Sequence, residues 1–102
     1  MSNKAISIAQ LNKTFESRIR LGIMSILMVN DEVDFSRMKE LLQVTDGNLA
    51  SHVAALEKAE YVKVNKQFVG KKPNTTFIAT KLGRKAFTAH LEALEKLLKS
   101  TK

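Results

Sequence analysis

The chain has 102 residues, with 17 Lys and Arg against 10 Asp and Glu and a formal net charge of +7. This length predicts a single domain, residues 1–102, around one modest core, with no room for a second module. With no cysteine there is no disulfide framework, thiolate metal site or cysteine nucleophile.

The N-terminus, MSNKAISIAQLNKTF, lacks the continuous apolar run of a signal peptide. The longest apolar stretch, Ile23 to Val29, is interrupted by Ser25 and is far too short to span a bilayer. The expectation is a soluble cytoplasmic protein with no membrane association.

The first predicted helix runs from about Ala9 or Phe15 to Val29. Phe15, Ile19, Ile23, Ile26 and Leu27 define one face, and Leu21, Met24, Met28 and Val29 spread apolar surface almost all the way round. A small core does not cover so much, so part of this helix is expected to meet another subunit. Asn30 and Asp31 end it as turn formers, and Val33 to Phe35 reads as a short extended piece, an edge strand for a later hairpin.

The second helix is capped by Asp34 or Ser36 and carries an inward stripe of Phe35, Met38, Leu41 and Leu42 to about Gln43. Thr45 is a suitable N-cap for a third helix, with Asp46 in its first turn. Leu49, Val53 and Leu56 form that helix's buried face; Asn48, Ser51, His52 and Ala55 lie opposite. Short polar side chains of this kind suit base edges in a major groove wide enough to admit a helix. Gly47 costs helix propensity, roughly 1 kcal/mol relative to Ala, and is either a remnant of the tight turn or an opening for a phosphate backbone.

After Glu60 the period changes from 3.6 to 2. Two β-prone runs, Tyr61 to Val69 and Thr75 to Ala79, flank the turn Gly70 to Asn74, a hairpin tip with the adjacent lysines Lys71 and Lys72. From Ala59 to Lys85 seven basic residues (Lys63, Lys66, Lys71, Lys72, Lys81, Arg84, Lys85) stand against Glu60 alone, a local +6 that attracts polyanions.

Thr80 caps the last helix, about 81–99, in which Phe87, Leu91, Leu94 and Leu98 follow a coiled-coil spacing. The seam is too short for an isolated zipper, so packing with the first helix, within or across a dimer, is expected. His90, on this packing helix, is read as structural.

Two distant histidines without cysteines or paired carboxylates do not make a metal site. No Gly-rich phosphate loop, serine elbow or His-Glu metal helix is present, so neither an enzyme nor a cofactor is expected.

Together these elements are α+β, mainly α: a winged helix-turn-helix with a two- to three-stranded antiparallel wing and an added C-terminal helix. From Arg18 to Leu98 the chain resembles the winged helix DNA-binding domain family, the small MarR-type and ArsR-type transcriptional regulators. The matching stretches are RIRLGIMSIL, DFSRMKELLQVTDGNLASHVAALEKAEYVKV and FIATKLGRKAF.

The resemblance implies a homodimeric regulator that binds double-stranded DNA, with the third helix (45–59) in the major groove and the wing (66–76) on the backbone or minor groove. On that basis Asn48, Ser51 and His52 read bases, and Thr45 touches phosphate. Lys66, Lys71, Lys72, Asn74 and Thr75 are the wing contacts. Phe15, Ile19, Ile23, Phe87, Leu91, Leu94 and Leu98 are expected at the dimer interface, which leaves room for an unidentified small-molecule effector.

The alternative is a protein-interaction module that docks a partner on its apolar helices and whose basic wing is incidental.

Overall fold

The first helix starts later than its apolar pattern suggests, because two capping residues intervene. In the computed structural model, which describes residues 8–100, Asn12 accepts from the Thr14 N–H and starts a 3-10 turn, Lys13–Phe15. Ser17, in extended backbone, then accepts from the Arg20 N–H and begins α1, Arg18–Met28. Neither Ala9 nor Phe15 therefore lies in α1.

The chain continues with β1 (Val33–Asp34), α2 (Phe35–Leu42), α3 (Asp46–Lys58), β2 (Val62–Val69), β3 (Lys72–Ala79) and α4 (Lys81–Ser100). Asp34 caps α2 by accepting from the Arg37 N–H at 2.7 Å. Gln43 turns the chain out of α2 in the left-handed region, φ 53°, and Thr45 starts α3.

The sheet has the order β1-β3-β2 and is antiparallel throughout, so the short extended piece at Val33 does serve as an edge strand. Thr76 of β3 donates its hydroxyl to the Glu32 carboxylate, which fixes this edge. β1 reaches only as far as Thr76, and the outer edge of β3 beyond it is open.

The expected turn at Gly70 to Asn74 is shorter in the structure. Val69 pairs with Lys72, so Gly70 and Lys71 alone make the turn, with Gly70 at φ 66°. Pro73 lies inside β3 opposite Phe68. In a two-residue hairpin this second pair is not hydrogen-bonded, so the missing proline N–H faces the open edge and costs no ladder bond.

The core is built from Ile23, Met24 and Leu27 of α1, Met38 of α2, and Leu49, Val53 and Leu56 of α3. Val33, Val62, Phe77 and Ala79 of the sheet and Phe87 of α4 complete it. Phe15 plugs one end: its ring stacks on Tyr61 at 5.2 Å, meets Phe87 edge-on at 5.2 Å and touches His90 at 5.4 Å. Leu41, read as inward, is 44% exposed and lies beside Val29 on the rim of a cleft between α1 and α2.

The run Thr80, Gly83, Arg84 joins α4 to the body. Thr80 Oγ1 accepts from the Gly83 N–H at 2.8 Å and donates to Glu60 O at 2.7 Å. Gly83 packs so closely that a Cβ there would stand 2.0 Å from Tyr61 O. Arg84 donates to Leu27 O and Met28 O at 3.0 and 3.1 Å, satisfying carbonyls that the end of α1 leaves free.

Among the described residues no helix is long and apolar enough to cross a membrane.

Candidate nucleic-acid interface

Leu49, Val53 and Leu56 hold α3 against the core, which turns Asn48 and Ser51 to solvent, with His52 and Ala55 half-buried beside them. The expected outward face is present. The Thr45 hydroxyl accepts from the Asn48 N–H at 3.1 Å and keeps its own proton available as a donor. Asp46 is paired with Lys39 of α2 at 2.7 Å, which offsets its charge at this end of the helix.

Gly47 faces open space: no atom lies within 4 Å of where its Cβ would be, and it is not among the glycines at positive φ. The tight turn therefore does not require a glycine, since Gln43 supplies the left-handed residue.

His52 is not free on this surface. Its Nδ1 accepts from Arg20 Nε at 3.0 Å, while Arg20 Nη1 donates to Thr14 O at 3.3 Å. A ring nitrogen that accepts carries no proton, so the His52 proton resides on Nε2 and the ring offers an outward donor. Arg20 thus belongs to this face, although nothing in its sequence position linked it to α3.

The hairpin carries the second part of the site. Val62, Val64, Lys66, Phe68 and their partners Ala79, Phe77, Thr75 and Pro73 share one side of the ribbon. At the base this side is core. Further out, Val64, Lys66, Thr75 and Phe77 face Ala50, Val53, Ala54 and Glu57 across a groove of about 340 Å³ beneath α3.

Asn74 and Thr75 are half-buried strand residues and lie on opposite faces, since Asn74 pairs with Gln67 and Thr75 with Lys66. Lys66, Lys71 and Lys72 are exposed. No acidic residue occurs between Glu60 and Glu92, so the ribbon is uniformly positive. Arg84 keeps its charge, but its guanidinium is held at the end of α1 rather than on the ribbon.

Two apolar side chains at the tip escape a sequence reading: Phe68 is 74% and Val69 is 63% exposed. Strand alternation alone would have assigned one of them to a buried side.

The residues expected at a dimer interface divide into two groups. Phe15, Ile23 and Phe87 are buried in the chain's own core and have no surface to offer a partner. Ile19 and Leu94 are half-buried, and Leu91 and Leu98 are exposed. The core claims the first group because the 3-10 turn folds Phe15 onto α4.

His90 is 4% exposed, and its Nδ1 accepts from the Asn12 N–H at 2.9 Å. The Asn12 side chain in turn donates to the Tyr61 hydroxyl at 3.0 Å. His90 is a packing residue, in agreement with the sequence reading.

Known proteins are similar to this chain in sequence or in fold. An uncharacterized protein of Methanocaldococcus jannaschii is 32% identical over 88 residues, covering 86% of this chain and 96% of that protein. A solved structure of a transcriptional regulator homologue from Pyrococcus horikoshii superposes with a TM-score of 0.80 at 29% identity, covering 87% of this chain and 88% of that one. The Streptomyces coelicolor MarR family regulator Sco3205, solved in complex with DNA, shares the fold with a TM-score of 0.63 at 18% identity, covering 82% of this chain and 58% of that one. The model of the winged helix DNA-binding domain matches residues 19–98, from the start of α1 almost to the end of α4, and the chain belongs to that family.

Proposed function

We propose that this protein is a homodimeric, sequence-specific transcription regulator that binds double-stranded DNA, with α3 in the major groove and the wing on the backbone or minor groove. The observation that carries this reading is the pairing of an outward polar face on α3 with a ribbon that has exposed lysines and no acidic residue. The DNA-bound state of the fold-related Sco3205 supports it as an analogy.

Asn48, Ser51 and the Nε2 donor of His52 read base edges, and Thr45 holds a phosphate at the start of the helix. Lys66, Lys71 and Lys72, with Asn74 and Thr75 behind them, bind the backbone. A lysine is a point charge without arginine's planar fork, so these contacts supply affinity more than sequence reading.

A dimer presents two α3 helices about 34–36 Å apart on successive turns of the duplex, matching a pseudo-palindromic site. The exposed and half-buried leucines of α4, Leu91 and Leu94, are suited to join the copies.

The test is binding to random duplex DNA and to the protein's own upstream region at low and near-physiological salt. Affinity should fall steeply with salt, with a preference for one fragment. Changing Lys71 and Lys72 together to Glu should abolish it. Retention of a protein partner by that double variant, with no DNA bound by the wild type, would instead establish the protein-interaction module.

A further inference from the structure

We propose that Phe68 is an apolar wedge that enters the minor groove beside the wing and partly unstacks one base step, so that the protein bends the DNA it binds. This proposal rests on the DNA-binding reading above.

Phe68 sits one residue before the Gly70–Lys71 turn is entered through Val69, and it pairs across the ribbon with Pro73. It is 74% exposed, the ribbon is open-edged at this level, and the core residue Phe77 with its half-buried partner Val64 lies four positions back along the ribbon. At about 3.3 Å per residue Phe68 therefore lies roughly 13 Å beyond the Val64–Phe77 pair. That is sufficient to pass a phosphate backbone and reach into a groove about 7.5 Å deep.

The surroundings decide what the aromatic ring meets. Lys66 stands two residues before it on the same side of the ribbon, Lys71 and Lys72 follow at the turn, and no carboxylate lies anywhere on the ribbon. A large apolar side chain at the centre of a cationic tip matches a target with anionic walls and a stacked apolar interior. Duplex DNA has that construction: phosphates line the groove, and base faces open between steps. Proteins that bind there insert Phe, Leu, Ile, Met or Pro between bases and kink the helix by about 20–90°. Pyrimidine–purine steps unstack most readily, so such a step is expected where the wing lands, at a position that α3 does not touch.

The experiment uses the full chain and the tightest duplex recovered from a randomised pool. End-to-end energy transfer reports the bend, and a fluorescent adenine analogue placed at the wing-side step reports unstacking. Wild type and Phe68→Leu should bend the duplex and raise the analogue's fluorescence.

Phe68→Ala, a change at an exposed tip that leaves the core intact, should keep the salt dependence. It should lose both signals and weaken binding at least about fivefold, the cost of a mismatched position. Equal bending and fluorescence by Phe68→Ala would overturn the wedge while leaving DNA binding in place. Failure of the wild type to bind any duplex at low salt, with capture on phosphatidylglycerol vesicles, would overturn both and assign the tip to an anionic membrane surface.

Discussion

Arg20 on α1 donates its Nε–H to Nδ1 of His52 on α3 at 3.0 Å, joining the helix that anchors the domain to the face proposed to meet DNA. The bond fixes which imidazole nitrogen bears the proton, and so whether His52 meets a base as a donor or an acceptor.

Arg20→Ala should therefore change sequence preference as well as affinity. Nitrogen chemical shifts of the His52 ring should report an Nε2–H tautomer in the wild type and a mixture in the variant. Selection from randomised duplexes should show Arg20→Ala and His52→Ala relaxing the same base pair. The double variant should lose no more than the single ones, because residues acting through one contact are not additive. Strictly additive losses would mean that Arg20 acts as an independent phosphate contact.

Asn48 is the candidate for adenine, through two hydrogen bonds in the major groove. Asn48→Ala should cost about 1–3 kcal/mol at one base pair only. Lys71→Ala should weaken all duplexes alike and reduce the salt slope by about one. An equal loss on every sequence for Asn48→Ala would remove it from base reading.

Gly47 separates stability from binding. With open space around its Cβ position, Gly47→Ala should fit without strain and raise stability by about 0.5–1 kcal/mol, read as a higher Tm. In the proposed docking the same methyl group stands where α3 approaches a phosphate, so DNA affinity should fall as stability rises. A variant that gains stability and keeps full affinity would show that the glycine has no role in docking.

Gly83→Ala should do the opposite. A methyl group 2.0 Å from Tyr61 O forces α4 away from the sheet. The cost is expected at about 1–3 kcal/mol, typical of overpacking, and measurable by urea denaturation. Arg84→Ala should add a smaller loss, since the last carbonyls of α1 regain water as a partner.

Leu91 tests the assembly. It is 45% exposed, so Leu91→Asp should leave the fold intact, which circular dichroism checks. Sedimentation should show a monomer, and binding to a two-half-site duplex should weaken far more than binding to a half-site. Unchanged sedimentation would move the interface elsewhere.

The parts of the structure legible in the sequence are those set by local chemistry. The spacing of Leu49, Val53 and Leu56 oriented α3, Thr45 and Thr80 marked helix starts, and period-2 alternation marked the ribbon. Where local signals competed, the reading slipped. Apolar residues from Ala9 onward suggested a long first helix, whereas Asn12 and Ser17 each spent a side-chain oxygen on capping and divided the segment. Pro73 suggested a wide turn, but an open sheet edge accommodates a proline inside a strand.

Features set by contacts distant in sequence gave no local signal. The Arg20–His52 bond spans two helices, and the exposure of Phe68 depends on how far the ribbon outruns the core beneath it. Phe15, Ile23 and Phe87 looked like interface residues because an apolar stripe does not say whether its cover comes from the same chain.

The segment before α1 has a consequence for anyone trimming this protein. Asn12 occupies the ring of His90 on α4 and the hydroxyl of Tyr61, and Thr14 holds the guanidinium that steadies His52. Cutting the chain at the start of α1 would remove Phe15 and leave the four helices and the sheet outwardly whole around an unplugged end of the core. It would also slacken the aim of the His52 imidazole, which is proposed to read a base, through the loss of Thr14 as a partner of Arg20. A shortened protein would fold recognisably and read DNA with blurred preference, and the fault would trace to a strap of residues that contains no part of the reading surface.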